Sequence, residues 1–182
     1  MKFTEQELEG VWVIEPKVFP DERGYFMESF KKEAFEQHIG TVNFVQDNES
    51  KSTRGVLRGL HYQTGDYAQA KLVRALQGRV LDVVVDLRKS SPSFGKHLAV
   101  ELTDENKKQL FIPRGFAHGF LVLSEDAVFS YKVDNAYAPS HEASLLWSDP
   151  TVNIDWRIDE KELLLSAKDK SGKLLSETIL FD

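Results

Sequence analysis

The chain has 182 residues, of which 41% are hydrophobic and 29% are charged, a balance typical of one globular domain with a buried core. Its net charge of −6 argues against a general nucleic-acid-binding role, because phosphate binding needs a basic surface. It contains no cysteine, which excludes disulfides, thiol nucleophiles and cysteine-ligated metal sites. We expect a single domain over residues 1–182.

The first residues, MKFTEQELEGVWVIEP, lack the basic and then apolar pattern of a signal peptide. The longest apolar runs are far shorter than the ~20 residues that span a membrane. We therefore expect a soluble protein of the cytoplasm.

Short strands separated by Gly, Pro, Asp and Ser dominate the predicted secondary structure. Residues 31–39 predict one short helix, and residues 159–163 another that Asp159 would cap. KLVRAL, VLDVVVDL and HLAVEL alternate as strands do, and Gln77-Gly78-Arg79 between the first two predicts a tight hairpin turn. QLFIP, AHGFLVL and AVFSYKV follow at intervals of roughly ten residues. Since nothing supplies the crossover helices of a parallel sheet, the pattern predicts an all-β jelly roll or related barrel with a few short helices.

Several strands carry a polar side chain on the face that their apolar residues should bury. Lys71 in KLVRAL, His118 in AHGFLVL and Tyr131 in VFSYKV lie in this way, and Gln46 and Asn48 follow a phenylalanine in the same alternation. Charged groups are seldom fully buried unless they are paired, so the set predicts a lined cavity. The alternative is that some of these side chains face solvent on an outer sheet surface.

The segment RGVLRGLHYQ places His61 three positions after Arg58. Residues three apart in a regular strand point to opposite faces, but a bulge at Gly59 would bring both to one side. An arginine close to a histidine base suits an anionic substrate. The alternative is a purely structural histidine.

The histidines do not predict a metal site, because such a site needs about three or four convergent ligands. PRGFAHGF contributes only His118, and GRVLDVVVDL has no histidine. We expect His38, His97 and His141 at the surface.

Both ends of the chain hold a charged segment of uncertain role. Arg23 lies in a turn before Phe26 and Glu28 on one strand face, and an arginine beside an aromatic ring suits a phosphate next to a planar base. A solvated loop with an ordinary core strand is the alternative. Lys168 and Asp169 in LLLSAKDK would by themselves predict only a charged loop.

Taken together and in order, these segments resemble the dTDP-4-dehydrorhamnose 3,5-epimerase family from about Gly10 to about Asp169. The resemblance implies a cupin-like jelly roll, a homodimer, a dTDP-linked 4-keto-6-deoxy sugar as substrate, no cofactor and a step of dTDP-rhamnose biosynthesis. It rests on FPDERGYFMESF, FVQDNESKSTRGVLRGLHYQ, KLVRALQGRVLDVVVDLRKSSPSFGKH, LFIPRGFAHGFLVLSEDAVFSYKV, YAPSHEASLLWSDP and LSAKD.

The same resemblance implies roles for individual residues. His61 would be the base and Asp169 the carboxylate that orients it, Tyr131 the acid on the opposite sugar face, and Lys71 the cation that stabilises charge on the ketone oxygen. Phe26 and Tyr137 would stack on the thymine or flank the sugar. The remaining substrate-binding positions are Arg23, Glu28, Gln46, Asp47, Asn48, Arg58, His118, Glu142 and Lys168.

Such an epimerisation needs these residue types. A ketone at C4 acidifies the hydrogens at C3 and C5, and inversion removes a proton from one face and returns one to the other. The base and the acid are each worth about 10²–10⁴-fold in rate. Three alternatives stay open: a single-centre 3- or 5-epimerase, a 3,4-ketoisomerase of the same fold, and, from another class, a metal-dependent cupin oxygenase or a non-catalytic sugar-binding module.

Overall fold

The computed structural model describes residues 1–182 and contains mainly β-strands. The strands are β1 (Lys2–Glu5), β2 (Trp12–Glu15), β3 (Val18–Asp21), β4 (Gly24–Met27), β5 (Gln46–Thr53), β6 (Leu57–Gln63), β7 (Lys71–Gln77), β8 (Arg79–Asp86), β9 (His97–Thr103), β10 (Gln109–Ile112), β11 (Phe116–Val122), β12 (Asp126–Val133) and β13 (Glu142–Ser144). The helices are α1 (Lys32–His38) and α2 (Ala167–Lys170), with 3₁₀ turns at Gly65–Tyr67, Pro139–His141 and Glu160–Glu162.

These strands form two large antiparallel sheets and one hairpin. The order in the six-stranded sheet is β1-β2-β10-β7-β12-β5, and in the five-stranded sheet it is β13-β6-β11-β8-β9. The strands β3 and β4 pair only with each other. Two facing antiparallel sheets built from non-consecutive strands form a jelly roll, which confirms the all-β expectation and is the cupin-like fold that the resemblance implies.

The main core lies between the two large sheets. Val73 and Phe129 from the six-stranded sheet pack into one buried cluster with Val84 and Phe120 from the five-stranded sheet. Alternation explains this arrangement, because successive residues of a strand point to opposite faces. The polar side chains that share these inward faces therefore enter the space between the sheets.

Each sheet also has a covered outer face. The segment after β13 packs Leu145, Trp156 and Leu175 over the five-stranded sheet, and Phe35 of α1 packs over the six-stranded sheet. Consequently β8 is buried on both faces, and seven of its eight residues are buried. None of the helices has the length and hydropathy that a membrane crossing requires.

The short helices lie close to where the sequence predicts them. The first spans Lys32–His38 inside the expected 31–39. The second is a 3₁₀ turn in which the Asp159 side chain accepts a hydrogen bond from the backbone amide of Lys161 at 2.9 Å. Both predictions are confirmed.

The hairpin prediction at residues 77–79 is wrong. The strands β7 and β8 belong to different sheets, so the tight turn at Gly78 carries the chain from one layer to the other. Gly78 has a φ of +74°, and a Cβ atom there would lie 2.1 Å from the carbonyl oxygen of Asp126. The turn residues by themselves favour a hairpin, but β7 pairs with β10 and β12 in one sheet and β8 pairs with β11 and β9 in the other.

Candidate active site

A cavity of about 350 Å³ opens between the two large sheets. Side chains from both sheets and from α2 line it, so residues far apart in sequence meet there. Of the residues that the sequence analysis singled out, those in the cavity wall are Arg58, His61, Lys71, His118, Tyr131, Tyr137, Glu142, Lys168 and Asp169.

A bulge in β6 places Arg58 and His61 on the same side. The register with β11 shifts there, since His61 pairs with His118 whereas Arg58 pairs with Phe120. Gly59 has a φ of +135°, and a Cβ atom there would lie 2.5 Å from the Cα atom of Gly119 on β11. Only glycine fits this approach, and the predicted bulge is confirmed.

His61 and Asp169 are in contact in the cavity wall. The His61 Nε2 atom lies 2.9 Å from Asp169 Oδ1, but the carboxylate lies out of line with the ring N–H direction, so Nε2 has no well-aligned hydrogen bond. The contact engages Nε2 and leaves Nδ1 as the ring nitrogen free of the carboxylate.

Asp169 is held by several donors. Its Oδ1 accepts from the Gly59 amide at 3.0 Å, and its Oδ2 accepts from the Ser166 amide at 3.2 Å and the Ser166 hydroxyl at 2.5 Å. Ser166 caps α2, so the helix start itself positions the carboxylate. Burial acts to raise the pKa of Asp169, but the contacts with His61, Ser166 and Gly59 outweigh it and hold the pKa well below its usual range.

Tyr131 enters the cavity from the opposing sheet. It lies on β12, with Asn48 of β5 and Val73 of β7 as its neighbours across the strands. Burial raises the pKa of Tyr131, although the positive charge of Arg58 opposes the change. The phenol is therefore protonated at neutral pH and can donate a proton.

Lys71 and His118 lie deeper in the cavity. The side chain of Lys71 is buried, and its Nζ donates to the backbone carbonyl of His61 at 3.5 Å. Burial lowers the pKa of Lys71 to about 8, and the negative charges of Asp82 and Glu142 limit that change. His118 Nε2 lies 2.9 Å from Asp82 Oδ2, and burial lowers the pKa of His118 despite this carboxylate.

Charged side chains surround the rest of the wall. Glu142 accepts hydrogen bonds from the Lys168 ammonium and from the Tyr137 hydroxyl, the second at 2.9 Å. Arg58 donates through Nε to Ser52 Oγ at 3.0 Å. The Arg58 guanidinium and the ammonium groups of Lys71 and Lys168 give the cavity the cations that an anionic ligand needs.

The predicted binding residues of β5 lie beside the cavity and not in its wall. Asn48 pairs directly with Tyr131, and the Gln46 side-chain amide donates to Asn48 Oδ1 at 2.7 Å. Asp47 points to the other face of the sheet, where it contacts Lys132 at 2.9 Å.

The three predicted binding residues near the N-terminus lie away from the cavity. The side-chain hydrogen bonds and the ion pair of Arg23 are made with Asp21 in the turn between β3 and β4. Phe26 is 67% exposed on β4, and Glu28 follows that strand on the surface. The structure does not bring these three residues into contact with His61 or Tyr131.

Some site residues escaped the sequence analysis. Asp82 in VLDVVVDL was not among the candidates, because β8 is buried on both faces and its alternation does not show that this carboxylate points inward. Ser166 could have been found as a helix cap in SAKD, since its side chain and that of Asp169 form a capping box. No set of three or more His, Asp or Glu side chains converges as metal ligands do.

A histidine on one sheet and a tyrosine on the other, with cations around them, define the class of this protein: a jelly-roll enzyme whose cavity suits proton transfer on an anionic ligand. A family model described as dTDP-4-dehydrorhamnose 3,5-epimerase matches residues 5–177. The chain belongs to this family.

Individual relatives agree with that assignment. The chain is 56% identical over 174 residues to a dTDP-4-dehydrorhamnose 3,5-epimerase of Shigella flexneri, covering 95% of each chain. A crystal structure of dTDP-6-deoxy-D-glucose-3,5-epimerase from Legionella pneumophila, in complex with dTDP-4-keto-L-rhamnose, is 48% identical with a TM-score of 0.93, over 97% of this chain and 93% of that one. A 3'-monoepimerase from Streptomyces bikiniensis, in complex with dTDP-quinovose, is 37% identical with a TM-score of 0.88, over 94% and 86%.

Proposed function

We propose that this protein converts dTDP-4-dehydro-6-deoxy-D-glucose to dTDP-4-dehydro-L-rhamnose by inverting C3 and C5, as a step of dTDP-L-rhamnose biosynthesis. The observation that carries the proposal is the placement of His61 and Tyr131 on opposing sheets of one cavity. Inversion at a carbon needs a proton acceptor on one face and a donor on the other, and this pair supplies both.

His61 is the base of the proposed reaction. It removes the hydrogen next to the C4 ketone, and the electron pair of the broken C–H bond moves onto the ketone oxygen as an enolate. Asp169 contacts the ring at 2.9 Å and stabilises the imidazolium that forms, as a carboxylate behind a catalytic histidine does. Because several donors hold that carboxylate, it remains an anion throughout.

Tyr131 and Lys71 complete the chemistry. The Tyr131 hydroxyl delivers a proton to the opposite face of the same carbon, and the enolate collapses back to the ketone. Lys71 places a buried positive charge where negative charge builds on the ketone oxygen, and such a preformed charge lowers the barrier in a desolvated site. Both proton transfers come from side chains, so we propose that no cofactor takes part.

The polar wall binds the rest of the substrate. We assign Arg58 and Lys168 to the diphosphate, because their cations face the cavity. His118, Glu142 and Tyr137 contact the sugar. The β5 residues Gln46 and Asn48 extend this side of the site toward the nucleoside, whereas Asp47 points to the other face of the sheet and contacts Lys132.

The remaining binding residues support a homodimer of single-domain subunits. Arg23, Phe26 and Glu28 match substrate-binding positions but lie outside the cavity of their own chain, on a hairpin that exposes the rings of Phe19 and Tyr25. We propose that this hairpin docks on a second copy, buries these rings and supplies Arg23, Phe26 and Glu28 to the partner's site. We propose that the enzyme acts on this nucleotide-sugar substrate in the cytoplasm.

A single-centre epimerase is the second candidate. The structural likeness to the 3'-monoepimerase favours it, because the same fold with a TM-score of 0.88 serves inversion at one centre. The two candidates differ only in the number of carbons that exchange hydrogen with solvent.

The test is incubation with dTDP-4-keto-6-deoxyglucose in heavy water, with the C3 and C5 hydrogens followed by proton NMR. We expect exchange and inversion at both carbons, whereas exchange at one carbon would establish the single-centre enzyme. In the Tyr131→Phe variant the base still removes the proton but the opposite-face donor is missing. Inversion should then fall about 10²–10⁴-fold, with exchange falling less. A folded protein without any exchange would exclude both epimerases and leave an oxygenase or a sugar-binding module.

A further inference from the structure

The buried carboxylate of Asp82 has no role in the chemistry described so far. It lies on β8 between Phe120 of β11 and Val100 of β9, and its side chain points into the space between the sheets together with those of Val80 and Val84. The residue is completely buried. A carboxylate in such a place is costly unless a partner compensates its charge.

Only half of this carboxylate has a direct partner. Its Oδ2 atom contacts His118 Nε2 at 2.9 Å, whereas its Oδ1 atom is buried without any hydrogen-bond donor. The His118 ring is itself fixed, because it stacks at 6.2 Å on Phe129, which stacks at 4.2 Å on Phe120. The Oδ2 atom of Asp82 thus contacts a fixed imidazole ring, whereas the charge on Oδ1 has no hydrogen-bond donor to compensate it.

Lys71 is the buried cation on the opposing sheet that faces this space. Its side chain shares the inward face of β7 with Val73 and Ala75, which belong to the same core cluster as Val80 and Val84. Its Nζ has one weak contact, to a backbone carbonyl at 3.5 Å, and no carboxylate within ion-pair distance. The Asp82 carboxylate and the Lys71 ammonium therefore each compensate the buried charge of the other.

Resting on the proposed function, we propose that Asp82 is the positioning residue for the electrophilic side of the site: it keeps Lys71 cationic and fixes the His118 ring beside it. Asp82 does not touch the substrate. It acts through Lys71, whose charge is needed where the enolate oxygen develops, and through His118, whose Nε2 it engages so that Nδ1 remains for the ligand.

Several charged and titratable groups face Lys71, and they act in both directions. Asp82 makes the largest favourable contribution to the charged state of Lys71, ahead of Glu142, and Lys168 opposes it. The two cavity histidines also lie close enough to interact with one another and with Lys71. The groups around Lys71 are Asp82 on β8, Glu142 on β13, Lys168 on α2, His118 on β11 and His61 on β6.

The test is the pH profile of kcat/KM for Asp82→Asn, an isosteric change that still lets the amide oxygen accept from His118. With the carboxylate removed, Lys71 loses its proton at lower pH, and the alkaline limb of the profile moves toward acid by about one pH unit. The ratio of wild-type to variant kcat/KM should then be near one at pH 6 and about tenfold at pH 9. A constant ratio across this range would overturn the proposal, because a merely structural defect lowers activity equally at every pH.

The matched control is Asp149→Asn. Asp149 is also a buried carboxylate, 2% exposed, but it accepts only from backbone amides, those of Thr151, Val152 and Leu175, on the outer side of the five-stranded sheet. This variant should lose stability without moving the alkaline limb. Movement of the limb in both variants would also overturn the assignment to Asp82.

A second measurement applies if Asp82→Asn alone folds poorly. Adding Lys71→Met removes the cation left without its counter-charge, so the double variant should have a higher melting temperature than Asp82→Asn. A lower melting temperature would contradict the coupling of the two groups. The exchange experiment on the wild-type protein distinguishes failure of the proposed function from failure of the role of Asp82. If the wild-type protein exchanges no hydrogen, the proposed function is rejected. If it does exchange but the alkaline limb of Asp82→Asn does not move, only the role of Asp82 is rejected.

Discussion

Two histidine–aspartate pairs lie in or directly behind the cavity wall, with the same separation of 2.9 Å and different surroundings. The His61 side chain is 26% exposed and its carboxylate has three further hydrogen bonds from Gly59 and Ser166. The His118 side chain is 8% exposed, and its carboxylate, Asp82, has no other donor.

This difference separates two tasks. A base must exchange its proton with the substrate, so the pair at His61 combines access to the cavity with a carboxylate that backbone and side-chain donors hold still. The pair at His118 is more deeply buried, and one oxygen of its carboxylate is left to compensate the charge of Lys71. In the proposed function, the same two residue types thus serve proton transfer in one place and electrostatic support in the other.

The largest expected effect distinguishes the two histidines directly. His61→Ala should lower the rate of C3 and C5 exchange by about 10³-fold or more, since it removes the proposed base, and each general acid or base is worth about 10²–10⁴-fold. His118→Ala should cost roughly tenfold, because it removes a binding contact. Exchange rates by NMR measure both, with His38→Ala, at the exposed end of α1, as the control. An equal loss of exchange rate in His61→Ala and His118→Ala would contradict the assignment of different roles to the two histidines.

The next effect concerns the carboxylate behind the base. Asp169→Asn should lower kcat by about 10²-fold, because the amide cannot stabilise the imidazolium as an anion does. The KM should change little, since the proposed function gives the carboxylate no contact with the substrate. A loss confined to KM would instead make Asp169 a binding residue.

The same variant should change the acid stability of the fold. A carboxyl group whose pKa is lower in the folded than in the unfolded chain stabilises the fold above its unfolded pKa of about 4, and this stabilisation is lost as the pH falls below that value. The pKa of Asp169 is depressed in this way. Between pH 5 and pH 2 the wild-type protein should therefore lose more unfolding free energy than Asp169→Asn does. The unfolding free energy of both proteins is measured by urea denaturation at each pH. An equal loss in the two proteins between pH 5 and pH 2 would contradict this prediction.

The smallest effect tests the donors that hold Asp169. Ser166→Ala removes a hydroxyl 2.5 Å from Oδ2 and should reduce stability by about 1 kcal/mol, with a several-fold loss in kcat. Ser171→Ala is the matched control, because its hydroxyl donates to a backbone carbonyl at the other end of α2 and not to the carboxylate. If both serine variants lose the same activity, Ser166 acts only on the helix.

Part of the site was predictable from local pattern. Alternation placed Lys71, His118 and Tyr131 on inward faces, and Gly59 indicated the bulge that turns Arg58 and His61 the same way. These features depend on strand geometry and on the space around one glycine. Both are properties of short segments, so the sequence contains them.

The assembly of the charged groups was not predictable in this way. Asp82 and Asp86 alternate identically in VLDVVVDL, yet Asp86 is bound by Arg88, Ser91 and Ser93 outside the cavity whereas Asp82 faces Lys71 and His118. Likewise, residues 77–79 read as a hairpin although the chain crosses between sheets there.

The sequence by itself therefore determined the strands, their inward faces, the bulge and, through resemblance, the family. Only the tertiary structure decided which carboxylate accompanies which histidine, because Asp169 meets the Gly59 amide across 110 residues of chain. It also left Arg23, Phe26 and Glu28 outside the cavity of their own subunit. Such contacts depend on how whole layers pack, and no local pattern encodes the distance between two sheets.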